Sequence, residues 1–486
     1  MKIYNSLSRT KEELVPIKNG KIGMYVCGPT VYDEPHIGHA RSAYIFDVIR
    51  RYLEYRDFDV RFVRNVTDVD DKIIDKAKKE LGPKGQGPGV KERAVEVAKK
   101  YLAAYHEDMA LLGIGKPDKE PKATEYIPKM VKFIELLIKK DCAYESGGDV
   151  YFDIKKARNY GKLSNQNLAK METGARIAPG ENKKDGLDFA LWKKAKEDEP
   201  SWSSPWGGGR PGWHIECSAM SSDILGDEFD IHGGGIDLIF PHHENEIAQS
   251  EGAGKRFARY WLHNGLLTIN GEKMAKSLGN FITIKDFIAK YKDPDYLKFL
   301  FLNAHYRHPV DYMEEKMDEM KAEKERFVIL FAKLDKLLKE QPASQKAPQV
   351  KSKGQDKEIG DFRKRFEEAM DDDFNTPLAL ASLFDLVTYA NKFIQDKDVP
   401  DKGELVDIEV IKRTLSELGG VFGLELSEGR ERAAIGEKEI LRLIGERNKA
   451  RVAKDFGRAD EIRKRLFDEG VILEDTKGGT EWRIRS

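Results

Sequence analysis

The stretch from Lys21 to Val66 constrains this chain more than any other. Lys21 to Cys27 is a short apolar run of β-prone residues, stopped by Gly28-Pro29. From Ile37 the apolar residues Ile37, Ala40, Tyr44, Ile45, Val48, Ile49, Tyr52 and Leu53 recur at helical spacing, and Phe58 to Val66 alternates as a strand. Parallel strands need a crossover connection, usually a helix, so strand, helix, strand at this spacing is the opening of a parallel α/β sheet.

At the junction of the first strand and the helix stands His36-Ile37-Gly38-His39. A helix N-terminus after a strand favours an anion through its free N–H groups and its dipole. Gly38 leaves the backbone bare, so a flat base could lie against it. Two histidines three apart share a helix face and can both donate to phosphate oxygens. Alone, the tetrapeptide reads as well as two surface histidines. A second element lies far downstream: Lys273-Met274-Ala275-Lys276-Ser277, followed by Leu278-Gly279-Asn280. Two lysines with a hydroxyl and a glycine hinge make a mobile cationic clamp. Such a clamp suits pyrophosphate leaving an α-phosphorus, a reaction driven by positioning and fixed positive charge. Together and in this order the two elements point to adenylation of a carboxylic acid by ATP.

The chain has 486 residues, enough for roughly three domains. It holds no apolar run near the roughly 18 residues that span a membrane, and Met1 to Asn5 opens no signal-peptide pattern. A cytoplasmic protein is expected. With a net charge of −1, a nucleic-acid partner would need a local basic surface. The three cysteines, Cys27, Cys142 and Cys217, form no CxxC pair, so a disulfide framework is not expected.

Gly82 to Gly89 reads as a flexible loop between helices, and Glu145 to about Trp206, rich in Gly, Ser and Lys, as an insertion without a sustained period. Ile215 to Phe240 returns to short apolar runs with a Gly233-Gly234-Gly235 turn. From about Asp286 the pattern is helical, with a long charged helix over Met313 to Leu338 and a polar linker over 341–356. The next helix is expected to take Thr376 as N-cap and Pro377 as first residue, with an apolar stripe at Leu380, Leu383, Phe384 and Val387. Two short helices and a hairpin, Val471 to Leu473 against Trp482 to Ile484, end the chain.

Cys27, Cys217, His242 and Glu246 suit Zn²⁺ by ligand type, and His242 and Glu246 at i, i+4 share a helix face. Cys27 lies far from the other three in sequence, so spacing alone leaves an ordinary structural role open.

The tetrapeptide and the lysine loop resemble the HIGH and KMSKS motifs of class I aminoacyl-tRNA synthetases, with Ala275 where the consensus has Ser. Over nearly its whole length the chain is similar to the cysteinyl-tRNA synthetase family. The resemblance is carried by Cys27 to Tyr32, Asn65 to Lys72, Gly212 to Met220, and Phe229 to Gln249. It implies an α/β, Rossmann-like parallel-sheet catalytic domain over 1–310, with an insertion over about 110–210 and the lysine loop at 273–277. A helical tRNA-binding bundle over 311–428 and a small mixed α/β anticodon-binding module over 429–486 are implied to follow. It implies catalysis by His36, His39, Lys273 and Lys276, with Gly38 beside ATP. One zinc ion on Cys27, Cys217, His242 and Glu246 would take the substrate thiolate, and Mg²⁺ would accompany ATP. Thr67, Trp213 and Asp237 would line the amino-acid pocket, with Asp237 pairing the substrate ammonium and His214 and His232 as further polar contacts. The implied substrates are L-cysteine, ATP and tRNA(Cys), and the implied state is a monomer. Arg451, Asp460, Arg463 and Asp475 match positions that read anticodon bases. Composition would not reveal that surface, because 430–486 carries fifteen Lys/Arg against twelve Asp/Glu. A related cysteine:amino-sugar ligase of mycothiol synthesis shares the motifs and the metal site, but needs no anticodon module.

Overall fold

The computed structural model describes residues 1–81, 89–166, 182–339, 356–395, 397, 400–427, 437–453, 455–469, 471–476 and 479–484. Its centre is a four-stranded parallel sheet ordered Phe257–Asn264, Glu228–Gly235, Lys21–Val26, Asp59–Arg64. The helix Ile37–Tyr55 crosses between the last two strands of that order and buries Ile37, Ala40, Tyr44, Ile45, Val48, Ile49, Tyr52 and Leu53, the spacing that the sequence displays. Strand order reverses between Lys21–Val26 and Glu228–Gly235. A crevice therefore opens at their carboxyl ends, the place where open α/β sheets bind ligands. Cys27 N–H donates to the Gly233 carbonyl at 3.0 Å, which fixes the floor of that crevice.

Two local expectations need correction. Gly233-Gly234-Gly235 is not a turn but the end of a strand, Glu228–Gly235. A Cβ on Gly233 would meet the Phe46 ring at 2.3 Å, and one on Gly234 would meet His243 at 2.9 Å, so glycine is there to let rings approach. The short apolar runs after Gly212 are in fact a helix, Trp213–Leu225, with eight consecutive residues from Ile215 to Ser222 buried. A helix covered on nearly every side has no polar face and therefore no visible period.

The segment read as an irregular insertion folds as a four-stranded antiparallel sheet, Ala143–Ser146, Asp149–Phe152, Phe189–Lys194 and Gly209–Pro211. Val150, Phe152, Leu191 and Trp192 are its buried face. Residues 82–88 of the expected glycine-rich loop lie outside the described residues, as do 340–355 of the expected linker.

Helices Glu314–Lys339, Asp356–Asp371, Thr376–Ile394 and Lys402–Val421 pack through Phe327, Leu330, Leu334, Phe366, Leu383, Leu386, Ile408 and Leu415. This core is continuous with the face of Ile37–Tyr55 that points away from the sheet. The Tyr44 hydroxyl crosses to the Phe422 carbonyl at 2.7 Å. The N-cap of the third of these helices is Asn375, not Thr376: its side chain accepts from Leu378 N–H, while the Thr376 hydroxyl donates to the Leu302 carbonyl at 3.1 Å. Thr376 lies inside the fold, where a partner across the interface competes with capping. No described helix is long and apolar enough to cross a membrane.

Candidate active site and metal centre

His36 is the N-cap of helix Ile37–Tyr55. Its Nδ1 accepts from Gly38 N–H at 3.1 Å, and His39 Nδ1 accepts from His36 N–H at 3.3 Å, a reciprocal capping box built from two imidazoles. Both Nδ1 atoms are acceptors, so in the neutral rings both Nε2 atoms carry the hydrogen. The rings stack at 3.7 Å and are held neutral: burial, then nearby Lys276, pushes His36 down to about 4, and burial, then His36, pushes His39 down to about 3. Ile37 N–H donates to the Ile282 carbonyl and His39 N–H to the His36 carbonyl. The first-turn amides that sequence reasoning assigned to an anion are therefore taken inside the protein. What this helix start offers outward is a pair of Nε2–H donors.

The lysine loop sits on this helix start. Ile37 N–H to Ile282 and Ile284 N–H to the Pro35 carbonyl, both 3.2 Å, tie the segment after the loop to the segment before the helix. A Cβ on Gly38 would lie 3.3 Å from Met274 Cε. Asn280 spans the loop, its Oδ1 accepting from Ala275 N–H at 2.8 Å and its Nδ2 donating to the Lys273 carbonyl at 3.2 Å. Lys276 pairs with Asp33 and lies 4.7 Å from the centre of the Phe281 ring, whose edge meets His36. Sequence reasoning missed Asp33. Burial opposes its charge, but Lys276 holds its carboxyl below the ordinary value.

At the other end of the crevice the fold brings Cys27, Cys217, His242 and Glu246 together, with ligand atoms within 4.8 Å of one another. Cys27 Sγ and Cys217 Sγ are 3.6 Å apart, and His242 Nε2 and Glu246 Oε1 are 3.0 Å apart. Tetrahedral zinc with Zn–S near 2.3 Å places two sulfurs about 3.8 Å apart, so the thiol pair fits. The other nitrogen of His242, Nδ1, is 3.0 Å from His214 Nδ1, which leaves Nε2 as the ligating atom and His214 as its orienting partner. Burial opposes a charge on His242, yet Glu246 and then Cys217 push it up to about 10. Burial likewise opposes charge on Glu246, and His232 and His242 bring it down to about 2. A second set, Cys27, His232, His243 and Glu246, shares two of these groups. His232 Nε2 is taken by Glu246 Oε2 at 2.8 Å, while His232 Nδ1 is buried with no partner among the described residues. Thiol, imidazole and carboxylate in one buried cluster is the donor chemistry of zinc.

Around this centre Trp213 is exposed and stacks on His242 at 4.1 Å. Thr67 is buried and donates its hydroxyl to Glu216 at 2.7 Å, a partner that sequence reasoning did not name. Asp237 stands exposed on the short turn Ile236–Leu238 beyond the strand end. Cys142 lies elsewhere, its Sγ near the carbonyls of Lys140 and Gly252.

Residues 13–322 match the model of the class I (C) tRNA synthetase catalytic domain, 365–427 the DALR domain, and 437–483 the cysteinyl-tRNA ligase anticodon-binding domain. The cysteine–tRNA ligase of Geobacter sulfurreducens is 48% identical over 100% of both chains. That of Bacillus velezensis is 48% identical over 99% of this chain and 98% of its own. The chain belongs to the cysteine–tRNA ligase family. Among solved structures, Mycobacterium tuberculosis methionyl-tRNA synthetase bound by methionyl-adenylate shares the fold with a TM-score of 0.60 at 14% identity, covering 87% of this chain and 94% of that one.

The part matched to the family's anticodon-binding domain has its own apolar cluster of Ile440, Leu443, Ile444, Ile462, Leu466, Val471 and Leu473. Arg451 is exposed at the end of helix Glu437–Val452, and Asp460 and Arg463 are exposed on helix Phe456–Asp468. Asp460 and Arg463 border a cavity of about 410 Å³ with Lys464 and Phe467. Asp475 lies on strand Val471–Thr476, paired with Thr480.

Proposed function

We propose that this chain activates L-cysteine with ATP and transfers it to the 3′ end of tRNA(Cys). The observation that carries the reading is the convergence of three sequence-distant groups at the carboxyl ends of one sheet. They are the His36/His39 donor pair, the Lys273/Lys276 loop lying on it, and the buried thiol, imidazole and carboxylate cluster. In the first step an oxygen of the cysteine carboxylate attacks the α-phosphorus, the bond from that phosphorus to the bridging oxygen breaks, and pyrophosphate leaves; Mg²⁺ brought with ATP would offset phosphate charge. His36 and His39 donate through Nε2–H to phosphate oxygens, and Lys273 and Lys276 offset the charge growing on the leaving group. In the second step a hydroxyl of the terminal adenosine attacks the activated carbonyl and AMP departs.

Cys27, Cys217, His242 and Glu246 would hold zinc, whose soft Lewis acidity takes a thiolate far more readily than the hydroxyl of serine. A hydrophobic pocket separates substrates that differ this little by only about 1–3 kcal/mol. Asp237 is taken to pair with the substrate ammonium, and Thr67 and Trp213 to line the amino-acid pocket. The division is taken as catalytic to about residue 310, helical to about 428, and anticodon-reading beyond, through Arg451, Asp460, Arg463 and Asp475. The protein is taken as a cytoplasmic monomer. The match of 437–483 to an anticodon-binding domain disfavours an amino-sugar acceptor. Pyrophosphate exchange with cysteine against serine, with zinc content measured on the same sample, tests the reading. Cysteine-only exchange with one zinc per chain supports it, and equal use of serine by the zinc-loaded protein refutes it.

A further inference from the structure

Behind the metal cluster runs a line of hydrogen bonds that no motif announces. His243 Nε2 lies 3.3 Å from Cys27 Sγ, His243 Nδ1 lies 2.8 Å from His263 Nε2, and His263 Nδ1 lies 2.8 Å from the Ser6 hydroxyl. Both histidines are buried, and Ser6 is half-buried. Each atom of the line has one available role. A metal-bound Cys27 is a thiolate and can only accept. His243 Nε2–H must then donate to it, and His243 Nδ1 must accept from His263 Nε2–H. His263 Nδ1 is left to accept from the Ser6 O–H. The line closes with one hydrogen on each imidazole.

The far end is anchored by backbone. Ser6 N–H donates to the Trp261 carbonyl at 2.9 Å, and the Asn5 side chain grips the same strand on both sides, accepting from Trp261 N–H at 3.0 Å and donating to the Arg259 carbonyl at 2.9 Å. The near end is fitted by Gly234, where a Cβ would lie 2.9 Å from His243 Cε1. His243 is a potential ligand by distance, but its Nε2 stands 4.0 Å from Glu246 Oε1, where that of His242 stands at 3.0 Å.

We infer that Ser6 and His263 are positioning residues that lock His243 in the tautomer donating to the Cys27 sulfur, so that His243 tunes this ligand from outside the metal's own shell. A donor on a thiolate draws charge off the sulfur and keeps it deprotonated while the bound metal remains a strong acceptor for the substrate thiolate. The inference rests on Cys27 being a metal ligand, as proposed above.

The test uses the full-length protein stripped of metal and measures Zn²⁺ affinity by chelator competition, without substrates. Removal of such an outer partner costs about 10- to 100-fold in metal affinity, and that loss is expected for His263→Phe. Ser6→Ala should lose less in the same direction. His263→Gln, which can still donate to His243 and accept from Ser6, should recover most of the affinity. With Co²⁺ in place of Zn²⁺, the thiolate-to-cobalt absorption band should shift in His263→Phe and return in His263→Gln. Should His263→Phe not fold, Ser6→Ala and His263→Gln still decide. Wild-type affinity and an unshifted band in Ser6→Ala and His263→Phe would overturn the inference and leave the zinc site standing. A wild-type protein that binds no zinc would instead overturn the metal reading on which the inference rests.

Discussion

Gly38→Ala separates the chemistry of the helix start from its stability. The added Cβ would lie 2.9 Å from both Nδ1 and Cε1 of His36, and 3.3 Å from Met274 Cε. Met274 can swing away. The imidazole cannot do so freely, because the His39 ring is stacked on it at 3.7 Å and the Phe281 edge stands against it. The His36 ring must therefore shift and give up its 3.1 Å bond from Gly38 N–H. Losing a cap costs about 1 kcal/mol, while replacing glycine by alanine within a helix returns about 1 kcal/mol, so folding stability should stay nearly unchanged. The rate should not. Displacing one preorganised donor from a developing charge costs on the order of 10²–10³ in rate, about 3–4 kcal/mol. Cysteine-dependent pyrophosphate exchange at saturating ATP should fall by that order, while the thermal midpoint stays with the wild type. Wild-type exchange would refute the assignment of His36 as a donor whose position matters. A collapse of the midpoint in parallel with exchange would show that the methyl group had broken the fold.

Lys276→Ala should slow exchange by a similar order with little change in melting, because Lys276 is itself half-exposed and its pairing with Asp33 contributes at most about 1 kcal/mol; unchanged exchange would remove Lys276 from the chemistry. A chain ending at Gly429 should keep pyrophosphate exchange and lose most tRNA aminoacylation, and equal loss of both would make the tail structural. Asp108 is buried with both carboxylate oxygens unpartnered among the described residues, and burial pushes its pKa up to about 7, with Lys285 opposing and Glu34 and Glu107 reinforcing the shift. The folded state therefore holds a proton that the unfolded chain has released between about pH 4 and 7, so this group costs stability progressively as pH rises through that window, and the full cost persists above it. Asp108→Asn should be more stable than wild type at pH 8, on the order of 1–4 kcal/mol, with the gap closing toward pH 5. A gap that is the same at both pH values, read from thermal melts, would refute the assignment.

What the sequence could reveal depended on whether a residue's partners were near it in the chain. The helix Ile37–Tyr55 was legible because one face is buried and its period shows. Trp213–Leu225, buried on nearly all sides, hid the same information. The insertion hid its sheet because its strands are three to six residues long and Asp149–Phe152 and Phe189–Lys194 are far apart in the chain. His242 and Glu246 could be paired from i, i+4 spacing, whereas Cys27 joined them only through the resemblance, since its place beside them follows from strand order.

The same distinction applies at the helix start. The sequence points to His36 and His39 as donors and to the first-turn amides as an anion site, because free N–H groups are the default at a helix N-terminus. Here Ile282, brought in from the far side of the lysine loop, takes the Ile37 amide, His36 Nδ1 takes that of Gly38, and the His36 carbonyl takes that of His39. That exchange has a functional consequence. Capping spends Nδ1 of each ring on backbone and thereby fixes the hydrogen on Nε2, so a rigid pair of side-chain donors replaces the usual ring of amides. The lysine loop and the helix start share one short backbone ladder at Pro35, Ile37, Ile282 and Ile284. The loop that carries Lys273 and Lys276 and the residues that hold the two imidazoles are therefore joined through backbone and not only through side-chain contacts.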